Sequence, residues 1–140
     1  MTEIRDYFRP MPDDGQIHAM SSLALAHVGD AVYGLLVRLW CSAQGGERAD
    51  RLHSSAVAMV NAAAQARAVQ RIQPLLTPEE AEVYRRGRNA KVHSVPRNAR
   101  RSEYHEATGL EALLGYLYLK GRTERINTLF ACIVEEPHAD

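Results

Sequence analysis

The sequence carries no net charge at pH 7, since 17 lysines and arginines balance 17 aspartates and glutamates. A bulk electrostatic attraction of the whole chain to nucleic acid is therefore excluded. Only two cysteines occur, Cys41 and Cys132, and their separation matches no metal-ligand spacing. They predict two reduced thiols in a reducing compartment rather than a disulfide or a thiolate metal site.

The chain also lacks the signals of secretion and of membrane insertion. Its first 16 residues are polar and contain Pro10, Pro12 and Gly15, with no basic segment followed by an apolar one. No apolar run reaches membrane-spanning length without a charged or polar break. These absences predict a soluble, cytoplasmic protein.

No strand pattern, internal repeat or low-complexity tract is present, and Gly and Pro separate segments with helical periodicity. The predicted fold class is therefore all-α. With 140 residues, 46% of them hydrophobic, the chain can build one domain with a substantial core. We predict an N-terminal arm over residues 1–16, a domain over 17–136 and a short tail over 137–140.

Five helices are predicted from the caps and the apolar spacing. They run from Ser21 or Ser22 to about Gln44, from about Asp50 to Ile72, from a capping box at Thr77 to about residue 90, from a cap at Ser102 to about Lys120, and from Thr123 to about Glu135. Gly45 and Gly121 are the predicted stops. In the first helix, the three-four rhythm predicts that one face packs into the core, made of Leu25, Val28, Val32, Leu35, Leu36 and Leu39.

Two acids lie in strongly apolar helices. Asp30 interrupts the run "LALAHVGDAVYGLLVRLW", and Glu111 lies at the edge of the leucine stripe in "HEATGLEALLGYLYLK". Either acid alone is best explained as a boundary carboxylate that caps, reaches solvent or pairs with a cationic side chain. Two desolvated carboxylates that face each other repel unless a cation lies between them. Because Mg²⁺ prefers oxygen ligands, the pair indicates metal-dependent phosphodiester hydrolysis.

A basic window covers residues 85–101, "RRGRNAKVHSVPRNARR", with seven of the 17 lysines and arginines and no acid. Such runs are often only solvated surface. Mutual repulsion among unpaired cations nevertheless favours a phosphate polyanion, which would also release counterions. The window lacks the aromatic residues that stack on unpaired bases, so it favours a duplex backbone. The predicted RNA-binding residues are Arg85, Arg86, Arg88, Lys91 and Arg97.

These motifs resemble a known family. "LALAHVGDAVYGLLVR" is similar to the signature helix of the ribonuclease III catalytic domain, where a Leu-Gly-Asp-Ala core carries a catalytic Asp, and "GLEALLGYLYL" is similar to its second acidic helix, with a metal-binding Glu. "RRGRNAK", the following "VPRNA" and "AAAQARAV" resemble the Mini-ribonuclease III family. The resemblance spans about residues 21–120 and leaves no room for the double-stranded RNA-binding domain of full-length ribonuclease III.

The resemblance has informative departures. Full-length ribonuclease III carries a Glu four residues before the catalytic Asp and an Asp three residues before the catalytic Glu, whereas this chain has Ala26 and Thr108 there. Four ligand-type acids are thus reduced to two, as in the mini family. We therefore expect one well-held Mg²⁺, with any second ion recruited by substrate phosphate.

The resemblance implies a homodimeric helical bundle of the ribonuclease III catalytic domain type, which cleaves double-stranded RNA to 5′-phosphate and 3′-hydroxyl ends. Asp30 and Glu111 would be the catalytic and metal-binding residues, and Mg²⁺ the cofactor. The implied biological role is maturation of precursor 23S ribosomal RNA at its double-stranded stalk. A ribosomal protein that presents the RNA is a candidate partner, and no membrane partner is expected.

Two other functions compete with this interpretation. A catalytically silent ribonuclease III-like module that binds RNA or the ribosome would have no reason to keep both Asp30 and Glu111. A helical adaptor with a basic protein-binding loop would leave both acids unexplained. The sequence alone assigns no catalytic role to the histidines His27, His93 and His105.

Overall fold

The computed structural model describes residues 6–8, 13–45, 48–91, 95 and 100–135, and within these ranges the chain is helical and contains no strand. The all-α prediction is confirmed. The α-helices are α1 (Asp14–Ala19), α2 (Ser22–Ala43), α3 (Ala49–Val60), α4 (Ala62–Ile72), α5 (Pro78–Arg88), α6 (Arg101–Leu119) and α7 (Thr123–Val134), with a 3-10 turn over Gln73–Leu75.

Helix α6 is the centre of the bundle and packs against α2, α4, α5 and α7. Ten of the eleven residues from Ala107 to Leu117 are buried, so the helix is surrounded on nearly every side. Glu111 is the exception in this run. The predicted leucine stripe is confirmed, because its members are all 2% exposed or less: Leu110, Leu113, Leu114 and Leu117.

Helices α2 and α6 touch through their backbones at two glycines. A Cβ atom on Gly29 would lie 1.6 Å from the carbonyl oxygen of Glu111, and one on Gly115 would lie 2.0 Å from that of Leu25. The earlier residue of α2, Leu25, meets the later residue of α6, Gly115, while the later Gly29 meets the earlier Glu111, so the helices are antiparallel here. Because glycine in a helix interior is about 1 kcal/mol less favourable than alanine, both positions are explained by this close approach.

The predicted core face of α2 is only partly correct. The buried positions follow a four-residue spacing, and of the predicted set Leu35 is 51% and Leu39 58% exposed. Leu25 is in the core, Val32 and Leu36 are half-buried and pack against it, and Val28 is half-buried. Helix α2 therefore has two apolar faces, of which the one toward α6 is made of Leu25, Gly29, Tyr33, Val37 and Cys41.

The predicted second helix is in fact two helices that meet at Asn61. This residue has an extended backbone (φ −70°, ψ 161°), and its Oδ1 accepts a hydrogen bond from the Ala64 amide at 2.9 Å. Its Nδ2 donates to the carbonyls of Val57 and Ala58 at 3.2 Å. Asn61 thus caps the end of α3 and the start of α4 together.

The remaining boundaries are close to prediction, with two differences. Ser21 caps α2, and the capping box between Thr77 and Glu80 starts α5. Helix α6 starts at Arg101 without a side-chain cap, so the predicted cap at Ser102 is wrong. Residues 14–16, predicted as part of an irregular arm, lie in α1, which buries Ile17. The division into arm, domain and tail stays a prediction.

Helix α2 is long and apolar enough to cross a membrane, judged by length and composition alone. The core helix of a bundle meets the same criterion. Since one face of α2 packs on α6 and its sequence includes Asp30 and Arg38, we interpret it as a core helix.

Replacing Gly29 by alanine should destabilise the protein strongly. The new Cβ meets rigid backbone of α6, so the helices must separate, and we expect a loss of about 2 kcal/mol or more in the free energy of unfolding. Gly34→Ala is the matched control on the same helix, because the only atom near its Cβ belongs to the flexible Arg38 side chain. Urea denaturation measures both, and equal stability of the two variants would contradict the close backbone contact.

Candidate active site

Asp30 and Glu111 line one pocket of about 400 Å³, although 80 residues lie between them in sequence. Helix α2 supplies the first acid and helix α6 the second, and the turn at Asn61 closes the third side. The glycine contact explains their proximity, because Gly29 holds the backbone preceding Asp30 against the backbone of Glu111. The full lining is Asp30, Val60, Asn61, Ala62, Ala63, Gln65, Glu103, Tyr104, Ala107 and Glu111.

The two acids have different environments. Asp30 is exposed at the mouth of the pocket despite its apolar sequence neighbours, whereas Glu111 is half-buried. Burial, together with the hydrogen bond and negative charge of the nearby Asp30 carboxylate, raises the pKa of Glu111 to about 8. Within the described ranges, neither acid forms an ion pair with a lysine, arginine or histidine. The negative charge of the pair is therefore not compensated by these side chains.

This donor set fits a hard divalent cation. Mg²⁺ uses oxygen ligands, usually one or two carboxylates, and retains several waters. In the described part of the chain, no three histidine, cysteine or acidic side chains form a group that could hold a metal ion. Waters or substrate oxygens would therefore complete the coordination of a cation at this site. A cation bound here would offset the burial and the nearby Asp30 carboxylate, which together raise the pKa of Glu111. The geometry thus agrees with a site built from two acids.

The sequence did not single out the other polar residues at this pocket as functional. Gln65, which the sequence left as an ordinary core or surface residue, is 3% exposed and donates to the Val60 carbonyl at 2.7 Å. Glu103 and Tyr104 line the pocket from the first turns of α6. The only signal for Glu103 is its helical spacing, since Glu103, Ala107 and Glu111 follow one another at four-residue intervals on one face.

The predicted RNA-binding residues on α5 lie beside the same segment of α6. A Cβ on Gly87 would lie 2.6 Å from that of Ala112, so the two helices are close at this point. Gly87 lies between Arg86 and Arg88, which places the basic end of α5 next to the turn of α6 that contains Glu111. Helix α5, which carries these basic residues, and helix α2, which carries Asp30, thus both pack on α6.

The cationic side chains are not all unpaired, contrary to the prediction. Arg85 and Arg86 share one carboxylate, that of Glu82, at 2.7 and 3.0 Å. The guanidinium of Arg88 lies over the Tyr84 ring, 5.9 Å from its centroid. Lys91 is exposed just after the helix. Glu82 lies three residues before the basic window, so mutual repulsion within the window is weaker than the sequence indicated.

Arg97 and His93 lie outside the described residues. His27 is exposed and faces an apolar groove rather than the acid pocket. His105 is half-buried, and its ring meets that of Tyr104 edge-on at 6.3 Å.

A family model described as the ribonuclease III domain matches residues 23–122, which include both acids. The chain belongs to the Mini-ribonuclease 3 branch of the ribonuclease III family. It is 44% identical to Mini-ribonuclease 3 of Thermoanaerobacter sp. over 117 residues, 84% of this chain and 82% of that protein. It is 47% identical to Mini-ribonuclease 3 of Symbiobacterium thermophilum over 105 residues, 75% of this chain and 81% of that one. As a member of this family, the chain is an endoribonuclease.

The fold agrees with a crystal structure of a protein from Fusobacterium nucleatum, with a TM-score of 0.78 and 32% identity over 86% of this chain and 92% of that one. The ribonuclease III fold expected from the resemblance is therefore confirmed. In this Mini-ribonuclease 3, Ala26 and Thr108 are both buried. Thr108 donates its hydroxyl to the Tyr104 carbonyl at 3.0 Å, within its own helix. Neither residue lines the acid pocket, which agrees with the reduction from four ligand-type acids to two.

Proposed function

We propose that this Mini-ribonuclease 3 is a Mg²⁺-dependent endoribonuclease for double-stranded RNA, with Asp30 and Glu111 as its catalytic, metal-binding residues. The observation that carries the proposal is the convergence of the two carboxylates in one open pocket with no compensating ion pair in the described residues. The ribonuclease III family is generally dependent on divalent metal ions, which agrees with this donor set.

Asp30 and Glu111 differ in exposure at the proposed site. Asp30, which is exposed, and Glu111, which is half-buried, would hold the cation between them. A bound cation would supply an activated water and polarise the scissile phosphate, and hydrolysis would leave a 5′-phosphate and a 3′-hydroxyl. The rigid backbone contact beneath both acids keeps their separation fixed.

Duplex and single-stranded RNA, incubated with Mg²⁺ or with EDTA, test this function directly. We expect only the duplex to be cut, and only with Mg²⁺. Asp30→Asn should lower the cleavage rate by at least about a thousandfold, or 4 kcal/mol in the barrier, while duplex binding persists. Asp50→Asn is the matched control, since Asp50 is an exposed aspartate on α3 away from the pocket. Full activity of Asp30→Asn would refute the role of this acid, and binding without cutting by the unaltered protein would favour the silent module.

The basic end of α5 forms the proposed contact with the RNA backbone, through Arg85, Arg86, Arg88, Lys91 and Arg97. Helix α5 packs on α6, the helix that carries Glu111, which supports this role. Arg88 and Lys91 form no ion pair in the described residues and are the best placed to contribute charge. Glu82 neutralises only part of the charge of Arg85 and Arg86, because one carboxylate serves two guanidinium groups.

Replacing Arg86, Arg88 and Lys91 by glutamine should weaken duplex binding across sequences. The slope of log affinity against log salt should fall by about one for each phosphate that the protein no longer neutralises. Replacing Arg38, Arg48 and Arg51 by glutamine removes the same charge elsewhere on α2 and α3 and should leave the slope nearly unchanged. Filter binding between 50 and 200 mM salt, roughly the range over which such phosphate binding is resolved, measures both variants. Equal slopes in both would exclude this surface.

The proposed assembly is a homodimer through the second apolar face of α2. This face borders a groove of about 510 Å³, lined by Val28, Ala31, Val32, Leu35 and Leu36 from α2 and by Tyr118 and Ile126 from α6 and α7. A contiguous apolar face of this kind marks a protein interface. Proteins of the ribonuclease III family typically dimerise, which supports a second copy as its occupant.

Val32→Asp should convert the dimer to a monomer, because the new carboxylate would be desolvated in the interface. Leu75→Asp is the matched control, since Leu75 is 47% exposed on the 3-10 turn and does not line the groove. Sedimentation velocity distinguishes the two species. A protein that is monomeric before any substitution would contradict the proposed dimer, and so would a dimer that tolerates Val32→Asp.

The proposed biological role is maturation of the 5′ and 3′ ends of precursor 23S ribosomal RNA in the cytoplasm. It rests on the similarity to the mini family, and a ribosomal protein that presents the RNA remains a candidate partner. A duplex built from the precursor stalk is therefore the natural substrate for the cleavage assay.

A further inference from the structure

The break between α3 and α4 removes the usual helical donor of the Val60 carbonyl. In a continuous helix the Ala64 amide would donate to the Val60 carbonyl, four residues earlier. Here that amide donates to the Asn61 side chain instead, at 2.9 Å. The Val60 carbonyl is therefore available, and it lies at the edge of the acid pocket.

The side chain of Gln65 donates a hydrogen bond to this carbonyl. Its Nε2 donates to the Val60 oxygen at 2.7 Å, and the residue is 3% exposed. Because a carbonyl oxygen only accepts, the nitrogen of the amide must face Val60, and the oxygen must point elsewhere. The orientation of the amide is thus fixed by its partner.

The same amide lies beside Glu111. Gln65 and Glu111 line one pocket, and the amide acts to lower the pKa of that carboxyl, against burial and Asp30, which raise it. An amide nitrogen carries two hydrogens, so it can serve Val60 and Glu111 together. Gln65 therefore links the corner between α3 and α4 to the acid on α6.

The oxygen of this amide accepts no hydrogen bond in the described part of the protein. This atom, Gln65 Oε1, is buried. A buried acceptor without a donor costs about 1–3 kcal/mol. A methionine of similar shape would avoid that penalty but would leave the Val60 carbonyl without its donor. The amide nitrogen has a second hydrogen, which can turn to the Glu111 carboxylate in the same pocket.

We infer that Gln65 is a positioning residue, which holds the Glu111 carboxylate in place for the cation from the corner between α3 and α4. The inference rests on the proposed metal-dependent function. Gln65 contacts neither substrate nor cation in this role and acts through Glu111 alone. Residues that orient a metal ligand in this way commonly change metal affinity by about 10–100-fold when they are removed.

Metal binding without turnover tests the inference. Mn²⁺ is a suitable probe, because it takes the same oxygen ligands as Mg²⁺ and is detected by electron paramagnetic resonance. Gln65→Met keeps the shape but removes both donors, and Gln65→Asn keeps the amide but is too short to reach both partners. We expect each to weaken Mn²⁺ binding about tenfold. Gln70→Met is the matched control, an exposed glutamine on the same helix, and should bind as the unaltered protein does.

Thermal unfolding of the same proteins separates positioning from packing. A packing role predicts a lower melting temperature with unchanged Mn²⁺ affinity, and this result for both Gln65 variants would overturn the inference. Failure of the proposed function has a different signature. If the unaltered protein and Asp30→Asn bind Mn²⁺ equally poorly, the metal site itself is refuted and Gln65 loses its role with it.

Discussion

The direct backbone contact between α2 and α6 is the constraint on which the rest of the site depends. Side chains at Gly29 and Gly115 would collide with main-chain oxygens, so both positions must be glycine for the helices to approach this closely. Asp30 follows directly after one glycine, and Glu111 lies one turn before the other. The separation between the backbones of the two acids is thus set by rigid main-chain contact, which suits the proposed cation site.

Close contacts at glycines also position α5, the helix that carries the basic residues. Gly87 and Gly109 allow α5 to lie close to α6, and a Cβ on Gly109 would meet the Tyr84 ring at 2.7 Å. Helix α5 is also fixed to α7 by the carboxylate of Glu80, 3% exposed, which accepts two hydrogen bonds from Arg125 at 2.8 and 2.9 Å. A buried charge of this kind is tolerated only with such a partner. The cationic end of α5 is therefore carried on a helix that cannot easily shift relative to the acids.

The sequence correctly predicted the features that depend on neighbouring residues in the chain. It failed for the features that depend on tertiary contacts. The caps at Ser21 and Thr77, the stop at Gly121 and the leucine stripe of α6 are local, and each was predicted correctly. The buried face of α2 could not be chosen, because the helix has two apolar stripes and only the position of α6 distinguishes them. Asn61 was missed since the alanine-rich segment after it favours helix on both sides and conceals a cap. The paired acids were predicted to be functional, whereas Gln65 was predicted by default to be an ordinary core or surface residue, because the Val60 carbonyl that it binds loses its helical donor only where the helix breaks.

The two apolar faces of α2 have a joint consequence. One face packs against α6 and fixes Asp30 beside Glu111, and the other borders the groove proposed for a second copy. Asp30 lies on the helix between these faces, one residue from Gly29 on the core side and one from Ala31 on the groove side. In the proposed dimer, α2 is therefore held from both sides, and a displacement at either contact moves the acid relative to Glu111. The proposed interface and the proposed metal site therefore share this one helix.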